Sequence, residues 1–382
     1  MHARLEQRLA QRQADGLSRS LHLHEAAQGP VLVADGQHLI NFCSNDYLGL
    51  AADAALAVAM ADGARTYGVG AGSAHLVCGH SRAHADVEAA MADWLGREQA
   101  LLFSSGWPAN LAVMTALLLP GDEVLQDRLN HASLLDGAKL AQARSRRYAH
   151  LDMVALKKQL ESRSTALVVT DAVFSMDGDV APLAQIAGLC AQQGAWLMAD
   201  DAHGLGVMGD EGRGCAAALD EHELPVLTVT LGKAMGTQGA CVVGSRVLIE
   251  TIVQFARPYI YTTASSPALA VATLASIKRV RSETWRRERL HEHIALFREL
   301  AHSRGLPLLP SQTAIQPVMV GEATAASRMS ARLWEEGFWV TAIRPPTVPP
   351  GTSRLRVTLS AAHTPAQIRN LVETMARLRP DA

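Results

Sequence analysis

Lys233 is the residue whose surroundings best suit chemistry. It follows the apolar run at 226–231 and precedes a second run at 240–243, in the stretch VLTVTLGKAMGTQGACVV. An amine in apolar surroundings loses its proton more easily, as a nucleophilic or imine-forming lysine must. The alternative is a structural lysine that reaches solvent from a strand end. We expect the other four lysines to be solvated, because their neighbours are polar or charged: Lys139, Lys157, Lys158 and Lys278.

Two more apolar runs, at 100–103 and 166–170, end in polar residues that could contact a ligand. The first leads into SSGWPAN, a glycine turn that opens a helix at Gly106 and Trp107. The free backbone N–H groups of a helix N-terminus can bind a phosphate, although a simple strand-to-helix turn has the same pattern. The second leads into DAVFSMDGD, in which Ser175 is either a ligand-binding hydroxyl or an ordinary turn residue.

A carboxylate and a histidine follow the run at 195–199, in the sequence DDAHG. Asp200 stands at the end of a buried strand, where a carboxylate is costly unless a cation or strong donor pairs with it. A pyridinium N–H would be such a partner. With Thr230 and Lys233, this carboxylate and the phosphate-type turn are what pyridoxal phosphate (PLP) requires. His203 beside a glycine could also be a plain turn residue.

The elements that must position these residues alternate along the chain. Apolar runs of strand length are separated by helical patterns at 109–118, 133–142, 153–160 and 182–193. Such alternation predicts a mainly parallel sheet covered on both faces, with ligands beyond the carboxyl ends of its strands. After about residue 304 short strands, expected at 315–319, 339–343 and 355–359, mix with helices. We therefore expect an N-terminal segment (1–50), a large domain (51–285) and a smaller α+β C-terminal domain (286–382).

Composition and charge exclude several functions. The chain has 382 residues, which is long for one core, and 48% of them are hydrophobic. A net charge of −2 gives no field that would attract nucleic acid or anionic lipid. The longest apolar stretch, near 111–119, is too short to cross a bilayer. The start, MHARLEQRLAQRQAD, predicts a short amphipathic helix rather than a signal or transit peptide.

Cysteine and histidine patterns predict a cytoplasmic protein without a metal. The five cysteines are scattered and odd in number, as expected for reduced thiols. The pairs His22/His24 and His291/His293 have a spacing that suits neither one helix face nor a usual zinc site, so we expect surface histidines. The stretch GVGAGSAH has no G-x-G-x-x-G and follows no β run, which argues against a nicotinamide cofactor.

Five motifs resemble those of the α-oxoamine synthases, a family of PLP enzymes with the aspartate-aminotransferase fold (fold type I). They are SNDYLGL at 44–50, DRLNHASLLDG at 127–137, VFSMDGD at 173–179, DDAHGLGVMG at 200–209 and TLGKAMG at 230–236. The resemblance covers nearly the whole chain. It implies a homodimeric, PLP-dependent C-acyltransferase.

Within that family, the motif at 127–138 and the tail RPPTVPPGTSRLRVTLSAAHT at 344–364 imply particular substrates. They imply condensation of L-alanine with a pimeloyl thioester, with loss of carbon dioxide, in biotin biosynthesis. The thioester could be carried by coenzyme A or by an acyl carrier protein. Glycine with acetyl-CoA or succinyl-CoA, or serine with a long acyl chain, remain alternatives. So does a non-catalytic partner subunit, which would be expected to lack Lys233.

The resemblance also implies a role for individual residues. Lys233 would hold the cofactor and move the Cα proton, Asp200 would pair with the pyridinium nitrogen, and His131 would stack on the ring. The other implied cofactor contacts are Gly106, Trp107, Ser175, His203, Thr230 and, from the neighbouring subunit, Thr263 with Thr262. The implied substrate contacts are Arg19, Asn45, His131, Thr347 and Arg356.

Three of these assignments have open alternatives. His131 could instead cap the helix that follows it. Arg356 is preferred over Arg354 as the carboxylate-binding arginine, because one arginine in RLRVTL should lie on a solvated strand face. The family's N-terminal arginine, which helps to hold the acyl substrate, has no clean match, since either Ser18 or Arg19 falls at that place.

Overall fold

The computed structural model describes residues 1–15 and 17–379, beginning with an N-terminal segment. This segment contains α1 (His2–Ala14), β1 (Val31–Ala34) and β2 (Gln37–Asn41). The expected N-terminal helix is present, but it buries none of its residues. β1 and β2 form an antiparallel hairpin through Asp35 and Gly36, which have φ values of 48° and 76°. An Asp-Gly pair tolerates the left-handed backbone that such a tight turn needs.

The large domain follows the N-terminal segment. Its elements in chain order are α2 (Ala54–Tyr67), α3 (Arg82–Leu95), β3 (Gln99–Phe103), α4 (Gly106–Leu117), β4 (Glu123–Asp127), α5 (Ala132–Leu140), β5 (Arg144–Tyr148), α6 (Met153–Glu161), β6 (Leu167–Asp171), α7 (Leu183–Gln193), β7 (Trp196–Asp200), β8 (Val226–Thr230), β9 (Ala240–Gly244), α8 (Arg246–Phe255), α9 (Arg257–Ile260) and α10 (Pro267–Ser282).

Seven strands of this domain form one sheet, in the order β3-β9-β8-β7-β6-β4-β5. Only β9 runs antiparallel to its neighbours, so the predicted mainly parallel sheet is confirmed. One strand, β5, was not predicted from the sequence, and its residues RSRRY are largely exposed. β5 is an edge strand, and its arginines protect an open row of backbone groups from pairing with another chain. Such a strand carries no continuous apolar run.

Both faces of the sheet are covered, as the apolar strands require. Along β3, Leu101 and Phe103 pack into the core beneath α4, α5 and α8. Ala100 and Leu102 face the opposite core, beneath α3, α6 and α7. Because successive strand residues point to opposite faces, a strand buried on both sides must be apolar throughout. This burial fixes the strand ends, and those ends position the site.

The small domain follows α10 in the chain. Its elements are α11 (Thr284–Ser303), β10 (Ile315–Gly321), α12 (Ala323–Glu335), β11 (Phe338–Trp339), β12 (Thr341–Ile343), β13 (Ser353–Thr358) and α13 (Pro365–Leu378). A three-stranded antiparallel sheet has the order β10-β13-β12, while β11 pairs with β2 of the N-terminal segment. The single strand expected at 339–343 is therefore wrong, because its two halves belong to different sheets. None of the helices in the described ranges has the length and apolar content needed to span a bilayer.

Two expectations about exposure are wrong. Arg354 is only 5% exposed and forms an ion pair with Asp177. It lies on β13, and all six residues of this strand are buried, so both faces of the strand are covered. His293 is 4% exposed, and its Nδ1 lies 3.0 Å from the carbonyl oxygen of Ser360, because this side of α11 faces the small domain. His22, His24 and His291 are exposed, as expected.

Candidate active site

Polar residues from the carboxyl ends of the large sheet surround one cavity of about 220 Å³. Residues that follow β3, β4, β6, β7 and β8 all reach it, as expected where the ends of parallel strands meet at one edge. The cavity is lined by Gly106, Trp107, Asn110, His131, Ser133, Asp171, Ser175, Asp200, Ala202, His203, Thr230 and Lys233. Eight of these residues are predicted site residues. We call this space the strand-end cavity.

Lys233 has the lowered basicity that its surroundings predicted. It lies just after β8, between Gly232 and Ala234, and its Nζ is 2.9 Å from Nε2 of His203. Burial lowers the pKa of Lys233 to about 8, against the opposing pull of the Asp200 carboxylate. An amine with this pKa is still mostly protonated near physiological pH, but its neutral fraction is far larger than that of an ordinary lysine, and the neutral form can accept a proton.

A chain of hydrogen bonds connects Lys233 with Arg356. Burial and the Lys233 charge hold the pKa of His203 well below its usual range, so His203 is neutral and its Nε2 accepts from the lysine. The opposite nitrogen, Nδ1, lies 2.6 Å from the hydroxyl of Tyr47. That hydroxyl donates to Oδ1 of Asn45 at 3.3 Å, and Nη2 of Arg356 donates to the same oxygen at 3.2 Å. The amine and the guanidinium are thus held by one network.

Asp200 is buried and receives two hydrogen bonds. Its Oδ2 accepts from Nδ2 of Asn110 at 2.6 Å, and its Oδ1 accepts from the backbone N–H of Ala202 at 3.0 Å. Asn110 also donates to the hydroxyl of Ser133, while its own Oδ1 is buried without a partner. The predicted carboxylate is therefore held in place by neutral donors, and a cationic partner within the cavity would compensate its charge.

His131 caps the helix that follows it and also lines the cavity, while its stacking on the cofactor ring stays a prediction. It is the N-cap residue of α5, and its Nδ1 accepts from the backbone N–H of Ser133 at 3.3 Å. Its ring also lines the cavity and meets the ring of Trp107 edge to face, with 5.9 Å between centroids. Burial lowers the pKa of His131 and the Lys233 charge lowers it further, against the pull of Asp200, so the imidazole is neutral. A helix cap and a cavity wall are compatible functions of one residue.

The N-terminus of α4 meets the cavity at Gly106 and Trp107. Ser105, the N-cap residue, makes no side-chain hydrogen bond to the first turn, so backbone donors of that turn stay available. The space beside the Cα atom of Gly106 is open, because a Cβ atom placed there would have no neighbour within 4 Å. Thr230, at the end of β8, lines the same cavity and donates to the carbonyl of Gly239 at 3.0 Å. Backbone donors at a helix N-terminus are a suitable site for a phosphate.

The residues present fit PLP. A weakly basic amine suits its aldehyde, the buried Asp200 suits a protonated ring nitrogen, and the first turn of α4 suits its phosphate. The unpartnered amide oxygen of Asn110 shows that the polar lining is incomplete without a ligand.

The sequence matches the model of the family described as aminotransferase class I and II over residues 37–375. The chain belongs to this family. It is 55% identical to the 8-amino-7-oxononanoate synthase of Pseudomonas putida over 379 residues, which cover 98% of this chain and 97% of the relative. The protein of the same name from Stutzerimonas stutzeri is 54% identical over 375 residues, covering 97% and 96%.

Solved structures place the chain within the α-oxoamine synthases of this family. A variant of the serine palmitoyltransferase from S. paucimobilis, with a bound PLP-myriocin aldimine, superposes with a TM-score of 0.92 at 29% identity, covering 98% of this chain and 97% of that one. The 8-amino-7-oxononanoate synthase of Francisella tularensis gives a TM-score of 0.79 at 31% identity, covering 89% and 97%. The expected fold type I and PLP dependence are confirmed.

The remaining predicted site residues lie outside the strand-end cavity. Asn45 and Arg356 sit behind it, in the network described above. Arg19 and Thr347 line a second cavity of about 210 Å³, formed by the N-terminal segment and the loop that follows β12. The other residues lining it are Arg12, Leu17, Thr341, Ala342, Ile343, Arg344, Pro345 and Pro346. We call this second space the arginine cavity.

Thr262 and Thr263 lie apart from both cavities on this chain. Both are exposed and follow α9, and Thr263 forms an isolated β-bridge with Ala74. Their expected contact with the cofactor of a neighbouring subunit stays a prediction.

A histidine cluster that was not predicted from the sequence lies close to this bridge. His75, His80 and His84 each offer a ring nitrogen within 4.8 Å of the others. Both ring nitrogens of His84 are already hydrogen-bonded, to Ser81 and to the carbonyl of Ser265, so we assign no metal there.

Sequence reasoning missed several residues of the cavity and its hydrogen-bond network, among them Asn110, Asp171 and Tyr47. Asn110 is a single buried polar residue in an otherwise apolar stretch of α4, which is a readable signal. Asp171 ends β6 just as Asp200 ends β7, and burial and the Asp200 charge raise its pKa well above the usual range. Tyr47 gave no signal, because its contact with His203 joins residues 156 positions apart.

Proposed function

We propose that the protein condenses L-alanine with a pimeloyl thioester to form 8-amino-7-oxononanoate, with loss of carbon dioxide and of the thiol. This is an acyl-transfer step of biotin biosynthesis. The observation that carries the proposal is the network joining a weakly basic lysine to Arg356 beside the buried Asp200. Full-length identities of 54–55% to relatives with that activity in their names support the choice of substrates.

Lys233 is the proposed carrier of the cofactor and the base for the amino acid. PLP, when bound, supplies the electron-withdrawing group that makes a Cα proton acidic. Nζ of Lys233 accepts that proton, because burial keeps its pKa near 8. His203, which is neutral and 2.9 Å away, holds the amine in position through its Nε2.

Arg356 is the proposed binding residue for the amino-acid carboxylate. Its guanidinium is only 8% exposed and is oriented by three acceptors: the carbonyl of Ser175, the hydroxyl of Thr358 and Oδ1 of Asn45. A fixed guanidinium pairs with a carboxylate through two parallel hydrogen bonds. Asn45 shares this role, because it links the guanidinium to Tyr47.

The remaining residues of the strand-end cavity are assigned to the cofactor. Asp200 would hold the proton of the pyridine nitrogen, and the backbone of Gly106 and Trp107 with the hydroxyl of Thr230 would bind the phosphate. His131 would contact the ring, and Ser175 and His203 would contact its phenolic oxygen.

The arginine cavity is the proposed site of the acyl thioester. Arg12, Arg19 and Arg344 line it together with Thr347. Several guanidinium groups around one cavity suit an anionic group of the acyl donor, either a carboxylate or a phosphate. Of the two residues that could match the family's N-terminal arginine, Arg19 is therefore preferred over Ser18. Coenzyme A and an acyl carrier protein both carry the acyl group on a phosphopantetheine arm, so either donor would present a phosphate to this cavity.

A homodimer is proposed from exposed apolar side chains around the Ala74–Thr263 bridge. Val69, Val77 and Tyr261 are 70–80% exposed, and Leu76 and Phe255 are also well exposed. Contiguous exposed apolar residues mark association surfaces. The same surface carries Thr262 and Thr263, which are assigned to the phosphate of the neighbouring subunit.

The domain boundary and the location of the protein are also proposals. The large domain is proposed to end near residue 285. A cytoplasmic location is proposed because the five cysteines are free thiols, which suit a reducing compartment.

A product assay tests this function. The purified holoenzyme is given alanine with pimeloyl-CoA and, in parallel, glycine with acetyl-CoA, and the products are identified by mass spectrometry. We expect 8-amino-7-oxononanoate from the first mixture at a rate at least tenfold above product formation in the second. Faster turnover of glycine with acetyl-CoA would replace the proposed substrates with those of another α-oxoamine synthase.

A further inference from the structure

A histidine between two carboxylates lies next to the strand-end cavity without lining it. His150 is in the loop between β5 and α6. Its Nδ1 is 2.8 Å from Oδ1 of Asp127 at the end of β4, and its Nε2 is 2.5 Å from Oδ2 of Asp179. We call these three residues the carboxylate–histidine bridge. Asp127 is fully buried, whereas the side chains of His150 and Asp179 are 17% and 23% exposed, so the bridge extends from the interior toward the surface.

The backbone around His150 is strained and tightly held. Leu151 has a φ of 53°, a left-handed conformation that bulky side chains rarely adopt. Its N–H donates to Oδ2 of Asp127 at 2.9 Å, and the Phe174 ring packs edge to face against the imidazole at 4.4 Å between centroids. Strain of this kind persists only where the surroundings fix the chain. The position of His150 is therefore specified, not incidental.

Asp179 belongs to the turn at 173–180, which lies in the large domain and contacts the small domain. On the small-domain side, Ser311 and Thr313 donate to the carbonyl of Gly178, at 2.9 and 3.1 Å, and Arg354 pairs with Asp177. On the large-domain side, the side chain of His150 contacts Asp179. The turn also carries Ser175, whose side chain lines the strand-end cavity.

The backbone of this turn orients the proposed carboxylate-binding residue. The carbonyl of Ser175 accepts from Nε of Arg356 at 2.6 Å. A shift of the turn would therefore move a cavity-lining hydroxyl and the guanidinium together. Small displacements of a binding group can cost large factors in rate or affinity.

We propose that His150, charged and bonded to both carboxylates, is a positioning residue that fixes the 173–180 turn and so sets Arg356 for the amino-acid substrate. It touches neither substrate nor cofactor. The role of Arg356 rests on the proposed function, whereas the charge state of His150 and its hold on the turn do not.

The bridge makes this positioning dependent on pH. Burial alone would lower the pKa of His150, but hydrogen bonds and charges from Asp127 and Asp179 raise it to about 9. The charged groups that contact the ring are these two carboxylates. Phe174, which also packs on the ring, carries no charge, and Asp177 is paired with Arg354 on the other side of the turn. Because the folded-state pKa is raised, the stabilisation that the charged bridge gives to the fold is fully present below about pH 6.5 and is lost as pH rises through about 9.

The first test reads the imidazole directly. Cofactor-free and PLP-loaded protein labelled with ¹⁵N-histidine is titrated by NMR, with assignment from the His150→Asn spectrum. We expect His150 to titrate with a midpoint near 9, and the midpoint to fall by at least one unit in Asp179→Asn, which keeps the shape of the side chain. A midpoint near 6.5 in the wild type, or one unmoved by Asp179→Asn, overturns the proposal.

The second test measures the steady-state kinetics with alanine. His150→Asn retains a donor toward Asp127 and His150→Gln retains one toward Asp179, while His291→Asn on the exposed face of α11 is the control. We expect KM for alanine to rise about tenfold in both bridge variants, with a smaller change in kcat. In Asp179→Asn, the fall of kcat/KM for alanine at alkaline pH should begin at a lower pH than in the wild type. Unchanged KM and profile in folded variants, with the expected NMR midpoint, would refute the positioning role alone. An inactive wild type would refute the proposed function and leave the NMR result standing.

Discussion

The two cavities are built from different parts of the molecule. The strand-end cavity is formed by the ends of five buried strands, and its polar groups form two hydrogen-bonded sets, one around Asp200 and one around Lys233. The arginine cavity is formed by the N-terminal segment and the loop after β12, and Arg12 belongs to a helix that buries no residue. On the proposed assignment of the two cavities, the core fixes the bond-making chemistry, while acyl recognition depends on less firmly packed elements. Relatives that share the first cavity could therefore differ in the second.

The largest expected effect is that of Lys233→Ala. Loss of the amine removes both the covalent attachment of PLP and the base for the Cα proton, so we expect kcat to fall by at least about 10³-fold. The visible absorbance of the bound cofactor should change or disappear. Lys278→Ala, which alters an exposed lysine on α10, should leave both unchanged. Residual activity within tenfold of wild type would remove Lys233 from the mechanism.

A somewhat smaller loss is expected for Asp200→Asn. An asparagine retains the shape of the side chain but has no charge to keep the pyridine nitrogen protonated, so kcat should fall about 10²- to 10³-fold. Steady-state assays on PLP-saturated protein measure this loss. The exposed Asp136→Asn should behave as wild type. If Asp200→Asn does too, the ring nitrogen has another partner.

Arg356→Lys should affect the amino acid more than the acyl donor. A lysine is a single point charge without the forked donor geometry, so we expect KM for alanine to rise about tenfold and KM for pimeloyl-CoA to change little. Arg332→Lys on the exposed side of α12 is the matched control. Equal increases for both substrates would show that Arg356 supports the fold of the site in general and does not select the carboxylate.

The smallest effects are expected in the arginine cavity. Arg19→Ala should raise KM for the acyl thioester several-fold, leave KM for alanine unchanged and weaken the dependence of the acyl KM on salt, because exposed charges are screened. Arg4→Ala, on α1 outside the cavity, serves as the control. A higher alanine KM with no change for the thioester would reverse the proposed assignment of the two cavities.

The buried parts of the molecule were the easiest to predict from the sequence. Continuous apolar runs located six of the seven strands of the large sheet, and the polar residues after those runs located Lys233, Asp200 and His203. These signals are strong because a strand buried on both faces must be apolar until it ends. β5 escaped detection because an edge strand can be charged.

Contacts between distant segments could not be predicted. The Lys233-to-Arg356 network passes through Tyr47, and no local pattern indicates which hydroxyl will meet His203. Arg354 and Arg356 lie in the same alternating stretch, RLRVTL, and only the structure shows that both faces of β13 are covered. His150 lies in the polar stretch RRYAHLD, where nothing in the sequence reveals that two carboxylates enclose it.

Borohydride reduction of the holoenzyme, followed by peptide mass spectrometry, tests the central claim most directly. Reduction turns the linkage between PLP and its lysine into a stable secondary amine, and the chain offers only five lysines as candidates. We predict a phosphopyridoxyl group on the peptide that contains Lys233 and on no other. A label on Lys139, Lys157, Lys158 or Lys278, or an unlabelled Lys233 in active protein, would contradict this assignment.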